Sequence, residues 1–429
     1  MSFTSADAAT SPPTARLPRS VLAIGVGRGI SFLGDEVALL TMAFRAKSEL
    51  GHFGVASILI AGALPLLLLA PFAGLLVDRV RTRPLLVSAT LAQAGLCVAL
   101  AYAPSVLLVP LIALLACGTA VAVPAWQALV PTLVAESQLS SAMGLLQSVQ
   151  ALAGIAGPFV GGLLVATYGF HVPLLVDAAS FLVLAAVPVA LRVDRVPSGA
   201  AERTSTRSEA FAGVRLILAS PMLRSLVALV VFFILAIGAI NVVEIYFITT
   251  ALHQGAFGYG LLGMSMGVGM LVTAALSGRI ARRFHRPERL FVAGCAGLCV
   301  GITAFGLTTS LWEACTLVFF VGVGNALVNV NAMVLLTTNS TDEVRGRVFA
   351  AINGTVSAAQ IVALSIGGLL LFAFAPRPII IAGGVASVVA LALTATPVLR
   401  AGTPRDGVTT GGAPTSQPDR DLGADTVAA

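Results

Sequence analysis

Twelve stretches of predominantly apolar residues, each of roughly the twenty that a bilayer requires, constrain the fold of this chain more than any other feature. They lie near 21–42, 54–76, 85–103, 106–127, 143–167, 172–191, 224–249, 258–281, 290–309, 312–336, 347–373 and 378–398. In lipid every backbone N–H and C=O must be satisfied internally, so runs of this length are helices. Composition agrees. Only 10% of the 429 residues are charged and 57% are hydrophobic. A soluble domain carries about 25% charged residues, so this chain could not cover a water-facing surface. The sequence predicts an all-α membrane protein of twelve helices.

Charge sets the orientation. The net charge is +6, and 24 of the 25 basic residues are arginine. A basic balance can mark nucleic-acid binding, but here the arginines sit between apolar runs, so the lipid bilayer is the expected partner and nucleic acid is not. With the N-terminus inside, 21 arginines fall in interior segments, while the outer loops hold Arg45, Lys47 and Arg377. By the positive-inside rule both termini are cytoplasmic, in a bacterial-type plasma membrane. Residues 1–20 are polar and rich in Pro, Ser and Thr, and they read as a disordered tail before a retained first helix. Residues 399–429 read as a second disordered tail.

The chain also repeats. A polar, charged loop over 192–223 separates a first six-helix half, 21–191, from a second, 224–398. Gly161-Gly162-Leu163-Leu164 in the fifth span returns as Gly367-Gly368-Leu369-Leu370 in the eleventh, an offset of 206. The basic loop after the second span, Asp78 to Arg83, has a counterpart at Arg279 to Arg289. Two repeated halves match a secondary transporter that holds its substrate between them near the midplane. A monomer of this kind contains the whole pathway.

Two local motifs stand out. Gly74-Leu75-Leu76-Val77-Asp78-Arg79-Val80-Arg81-Thr82-Arg83 closes the second span. A carboxylate at a helix C-terminus opposes the macrodipole, so Asp78 needs compensation. A contact that forms and breaks between the halves would make Gly74, Asp78, Arg79, Arg81 and Arg83 a conformational latch; a plain positive-inside loop is the alternative. In the fifth span, Gly154-Ile155-Ala156-Gly157-Pro158-Phe159-Val160-Gly161-Gly162 sets Gly157 and Gly161 on one small-residue face. Pro158 removes a backbone hydrogen bond and can bend the helix.

On these residues the chain resembles the major facilitator superfamily. That family's second-loop signature, G-x-L-x-D-R-x-x-R-R, is met at Gly74, Leu76, Asp78 and Arg79, with Arg81 and Arg83 at slightly altered spacing. The run Gly157-Pro158-Phe159-Val160-Gly161-Gly162 resembles the antiporter motif found mostly in exporters, with Ala153 at its leading small position. Ser31 to Asp35, Leu139 to Gly162, Leu175 to Leu182 and Arg345 to Val348 resemble macrolide-efflux and enterobactin-exporter carriers. The resemblance implies a twelve-helix major facilitator fold and proton-coupled efflux of drug-like, antibiotic or siderophore-like molecules. The arginine that many drug–proton antiporters carry in the fourth helix is missing here, so proton coupling would need another route.

Charges inside the bilayer are costly and usually face the bundle interior. They are Arg28, Asp35 and Glu36 in the first span, Asp177 in the sixth and Glu244 in the seventh. Arg28 and Asp35 share nearly one helix face, about 10 Å apart along the axis. Asp35 is the first candidate for a proton-linked carboxylate and Glu244, in the counterpart of the Asp35 region in the second half, the next; Glu244 can equally be merely solvated. Glu36 points about 100° away from Asp35. Asp177 reads as titrating or as a structural hydrogen-bonding group. Gln150, Asn241, Asn325, Asn329 and Gln360 form either helix-packing bonds or a polar patch on an apolar substrate cavity. Trp126, at the end of the fourth span, reads as an interface residue.

Enzyme chemistry is absent from the sequence. No G-x-x-x-x-G-K-[ST] phosphate loop occurs. The four histidines, His52, His171, His253 and His285, are dispersed. The five cysteines, Cys97, Cys117, Cys295, Cys299 and Cys315, lie in or beside apolar runs and read as buried thiols. No catalytic residue, metal site or cofactor is expected. The expected partners are an amphipathic small molecule and protons. An uptake permease of the same fold, or a membrane receptor or scaffold, remains an alternative.

Overall fold

The computed structural model describes residues 17–194, 221–284, 286–338 and 342–401, with the side chains of 70, 71, 221–226, 229, 281, 336–338, 342–353 and 393–401 left aside. Residues 1–16 and 402–429 of the two tails and most of the 192–223 loop lie outside the described residues, as do the side chains of Arg345 and Arg347, while 19–20 and 399–401, read as tail from the sequence, belong to helices. Among the described residues, twelve long helices follow one another. The first half holds α1 (Arg19–Leu50), α2 (Gly54–Arg79), α3 (Thr82–Tyr102), α4 (Leu108–Leu129), α5 (Glu136–Tyr168) and α6 (His171–Ala190). The second holds α7 (Pro221–Thr250), α8 (Ala256–Arg283), α9 (Pro287–Leu307), α10 (Leu311–Thr338), α11 (Asp342–Ala373) and α12 (Pro376–Ala401).

Ten described stretches are long and apolar enough to cross a membrane. The first, Arg19–Leu69, runs through both α1 and α2, and α12 adds the shorter apolar stretch Pro376–Ala392. The helices outrun the apolar runs that predict them. The first run ends near 42, yet α1 continues to Leu50. Arg45 and Lys47 are therefore helical rather than loop residues. Arg45 is buried, donating through Nη1 to the carbonyl of Leu100 at 2.6 Å, through Nη2 to the carbonyl of Ala103 and through Nε to Glu49 at 2.8 Å. It satisfies carbonyls that the end of α3 leaves without intrahelical partners.

The repeat in the sequence is a repeat in packing. In the first half α1 packs on α5 and α6, α2 on α4, and α3 on α4 and α6. In the second, α7 packs on α11 and α12, α8 on α10, and α9 on α10 and α12. Each pair maps onto its counterpart six helices on. Across the halves, α5 meets α8 and α11 meets α2, again related by the repeat.

These crossings are close because small residues permit it. A Cβ on Gly162 would lie 2.4 Å from the carbonyl oxygen of Ala256, and one on Gly260 would lie 2.4 Å from that of Pro158. The closure lies at the end of the bundle that carries the α1–α2, α5–α6, α7–α8 and α11–α12 connections. There the Tyr246 hydroxyl donates to the Gly51 carbonyl at 2.7 Å. His52 lies against Tyr246 and Phe372, and Phe44 meets the ring of Tyr259 edge-on. At the opposite end, Val21, Val77, Leu86, Trp126, Leu129 and Leu184 form an apolar cluster built from the first half alone.

Candidate functional site

Beneath the closed end lies a cavity of about 270 Å³ between the halves. It draws side chains from six helices: Glu36, Leu39, Leu40 and Ala43 of α1; Val55 and Leu59 of α2; Pro158 of α5; Asn241 and Ile245 of α7; Tyr259 of α8; Gln360 and Leu364 of α11. Mostly apolar walls with a few placed polar groups are what a small-molecule site needs. Pro158 faces the cavity and also packs beneath Gly260 and Gly263. Of the amides singled out by the sequence, Asn241 and Gln360 line this cavity, whereas Gln150, Asn325 and Asn329 do not. The Asn329 side-chain amide instead donates to the Asn325 side chain at 2.7 Å and to its backbone carbonyl at 2.9 Å.

The neighbouring acids Asp35 and Glu36 part company, because successive helical positions differ by about 100°. Glu36 faces the central cavity. Asp35 faces a separate chamber of about 40 Å³ inside the first half, lined also by Arg28, Ser31, Phe32, Gln93, Thr119, Trp126 and Phe181. Arg28 is within electrostatic reach of Asp35, but the two form no ion pair within 4.0 Å. The guanidinium lies 4.7 Å from the Phe32 ring centroid and 5.7 Å from that of Trp126, over their faces. Gln93 donates to Thr119 at 3.0 Å. Its Oε1 and the Trp126 indole N–H are buried without a hydrogen-bond partner among the described residues. Trp126 is 2% exposed, so it is a wall of this chamber rather than an interface residue.

Asp177 is fully buried, and its oxygens are engaged. Cys97 donates its S–H to Oδ2 at 3.1 Å, and the Ser180 hydroxyl reaches Oδ1 at 3.2 Å and the Asp177 carbonyl at 2.7 Å. Gly34 leaves the room these groups occupy, since a Cβ there would meet Asp177 Oδ1 at 2.4 Å. Glu244 is half-buried near the closed end, and Tyr259 stands within electrostatic reach of both Glu244 and Glu36. Tyr259, Gln93 and Thr119 were not singled out by the sequence, and Cys97 was read only as a buried thiol, which it is, without its bond to Asp177. Tyr259 carries a visible signal, as the single polar aromatic in the glycine-rich opening of α8; the others look like ordinary small polar residues of a span.

At the other end of the molecule, the Arg83 amide donates to Asp194 at 3.0 Å, its guanidinium reaches the Val189 carbonyl at 3.5 Å, and Arg81 stands 4.0 Å from Asp194. These bonds tie the α2–α3 turn to the end of α6, within one half. Asp78 is also engaged in a polar or electrostatic interaction. Arg79 lies beside an apolar depression formed with Phe72, Leu76 and Val121. Gly74 meets no neighbour within 4 Å of a built Cβ. Gly154 is likewise open, whereas Gly157 and Gly161 pack on α1 and Gly162 on α8.

A cavity walled by both members of a repeated pair of six-helix units, in a chain of membrane-spanning helices, is the architecture of a polytopic membrane transporter. The sequence profile of the Major Facilitator Superfamily matches residues 24–294 and 226–419. The chain belongs to that family. It is 26% identical over 375 residues to the uncharacterized MFS-type transporter YfiS of Bacillus subtilis (strain 168), covering 83% of this chain and 88% of that one. It is 29% identical over 175 residues to macrolide efflux protein A of Streptococcus pyogenes, covering 39% of this chain and 43% of that protein. Among solved structures it is similar to a bacterial homologue of the iron transporter ferroportin in an inward-facing state, with a TM-score of 0.66, 17% identity, and coverage of 90% and 99% of the two chains.

Proposed function

We propose that this chain exports small amphipathic molecules, drug-like, antibiotic or siderophore-like, by proton-coupled alternating access across a bacterial inner membrane. Both termini are cytoplasmic in this reading, and one chain suffices. The observation that carries it is the central cavity, closed at one end by contacts between the halves. The arginine distribution favours that end as the outer one, and in this reading the conformation described is the one closed toward the outside. Rocking of the halves would release the Tyr246–Gly51 bond and re-form contacts at the arginine-rich end.

Proton coupling is assigned to Asp35. Its chamber lies inside one half, beside the central cavity but off its walls. A buried carboxylate responds to its surroundings through desolvation and nearby charge, and Asp35 has both. Asp177, held by Cys97 and Ser180, serves as its fixed neighbour. Glu36 and Glu244 are the further titrating candidates, each within electrostatic reach of Tyr259. The efflux direction is favoured by the glycine-proline run that packs α5 on α8 and by the macrolide efflux relative.

The test is flux into inverted membrane vesicles containing the purified chain. Substrate accumulation that vanishes when the pH gradient and potential are collapsed supports proton-driven export. Accumulation that persists unchanged overturns the coupling. Net movement in the opposite direction identifies an uptake permease, and no substrate-dependent flux at all identifies a receptor or scaffold.

A further inference from the structure

The central cavity has a charge asymmetry that speaks to its cargo. Its polar lining consists of Glu36, Asn241, Tyr259 and Gln360, and no basic residue is among its walls. The basic residues of α1 beyond its first turn are committed elsewhere, Arg45 to the carbonyls of Leu100 and Ala103. Arg28 lies over Phe32 and Trp126 on the far side of α1, and Lys47 sits over the Tyr246 ring at 5.7 Å. The Glu36 carboxylate makes no hydrogen bond or ion pair among the described residues. A carboxylate withdrawn from water without a partner is unfavourable, and an anionic cargo beside it would add repulsion. A cation would supply the missing partner. The Tyr259 ring on the same wall offers a π face that also attracts cations.

Position as well as charge is built in. Gly157 lies directly against Glu36: a Cβ there would stand 2.3 Å from Glu36 Cβ and 3.0 Å from its Cγ. The glycine before Pro158 therefore makes room for the base of the Glu36 side chain, and the following proline forms the adjoining cavity wall. The Gly157–Pro158 segment of α5 seats the acid of α1.

We infer that Glu36, seated against Gly157 and faced by Tyr259, is the group that recognises a positively charged nitrogen or equivalent onium centre on an amphipathic cargo. This rests on the transporter reading above and adds the sign of the cargo's charge. Glu36 selects the cargo from the cavity, while Asp35, one residue away, faces the separate chamber. Gly157 is a positioning residue for Glu36.

The experiment is equilibrium binding of two probes of one shape and opposite charge, tetraphenylphosphonium and tetraphenylborate. They are titrated against the full chain in lipid nanodiscs at fixed neutral pH, with empty discs subtracted. Wild type should prefer the cation by at least about tenfold. Glu36→Gln should abolish the preference, while Glu36→Asp, which keeps the charge, should retain part of it. Gly157→Val should weaken cation binding, whereas Gly95→Ala, at an open position on α3, should leave it unchanged. Equal binding of both ions to wild type, or a cation preference that survives Glu36→Gln, overturns the inference. Because binding is read without flux, the two readings separate. Export of anionic cargo would keep the transporter and discard the cation site, and Glu36-dependent cation binding without flux would do the reverse.

Discussion

Gly162 of α5 and Gly368 of α11 hold the same place in the two halves: each is where its helix crosses the second helix of the other half. A Cβ on Gly162 would strike the Ala256 carbonyl oxygen at 2.4 Å, and one on Gly368 would strike Ala56 Cβ and the Phe53 ring at 2.6 Å. Their predecessors Gly161 and Gly367 pack instead on the first helix of their own half, against Val37 and Ala239. Each glycine pair thus joins one internal contact to one contact across the interface.

Substituting either interfacial glycine should disfavour the closed end. Gly162→Ala and Gly368→Ala each ask packed backbone or ring atoms to move, at a cost of about 1–3 kcal/mol. Both should slow transport and raise reagent accessibility of a single cysteine introduced at Asn241, on the cavity wall. Gly62→Ala, where a Cβ meets nothing within 4 Å, should change neither. Equal accessibility in all three variants would show that these crossings do not hold the gate.

The coupling assignment turns on two acids in one region. Asp35→Asn should reduce export driven by a pH gradient to the level seen without one, measured in inverted vesicles. Asp177→Asn keeps an acceptor for Cys97 and Ser180 while removing the charge, so gradient-driven export should survive it. The reverse outcome would move the proton site from Asp35 to Asp177.

The fold was legible because its signals are long and redundant. The apolar runs, the arginine bias and the repeated Gly-Gly-Leu-Leu each report many residues at once. Helix ends were less legible, since α1 continues past its apolar run through Arg45 and Lys47, whose charges look like loop in one dimension. Arg45 is tolerated there because the end of α3, distant in sequence, offers it carbonyl oxygens. The site was legible by residue type but not by facing. Hydropathy marks Asp35 and Glu36 as a costly pair, yet only the rotation between them and the room at Gly157 decide which one meets the cavity. Of the amides, Asn241 and Gln360 reach it because α7 and α11 are adjacent, a tertiary fact. Asn325 and Asn329 share a helix face with each other, which their spacing does indicate, and they spend their hydrogen bonds on that.

Arg45 leads to a stability prediction. Arg45→Ala removes a buried guanidinium and strands the carbonyls of Leu100 and Ala103 away from water. An unsatisfied buried polar group costs about 1–3 kcal/mol, so thermal unfolding in detergent should begin at clearly lower temperature. Arg45→Lys should rescue little, because an ammonium cannot reproduce the planar fork that reaches two carbonyls and Glu49 together. Unaltered unfolding of Arg45→Ala would mean that water satisfies those carbonyls.

The Tyr246 hydroxyl joins the halves at the closed end: it donates to the Gly51 carbonyl at 2.7 Å, and the backbone N–H of Val55 bonds to it in turn. Tyr246→Phe keeps the ring against His52 and beneath Lys47 and deletes only the hydroxyl and its bonds to Gly51 and Val55. A neutral hydrogen bond contributes about 0.5–1.5 kcal/mol net, which corresponds to a shift of roughly two- to tenfold in a two-state equilibrium. The variant should therefore populate the state open at this end more often, without loss of fold. Distances between spin labels placed on the α1–α2 and α7–α8 turns would read the shift directly, as growth of a longer-distance population in Tyr246→Phe relative to wild type. The same Phe variant combined with Gly368→Ala should show a larger long-distance fraction than either alone, because the two contacts lie in the same closure but share no atoms. Identical distance distributions in wild type and Tyr246→Phe would show that apolar packing, and not these bonds, sets the balance between the two states.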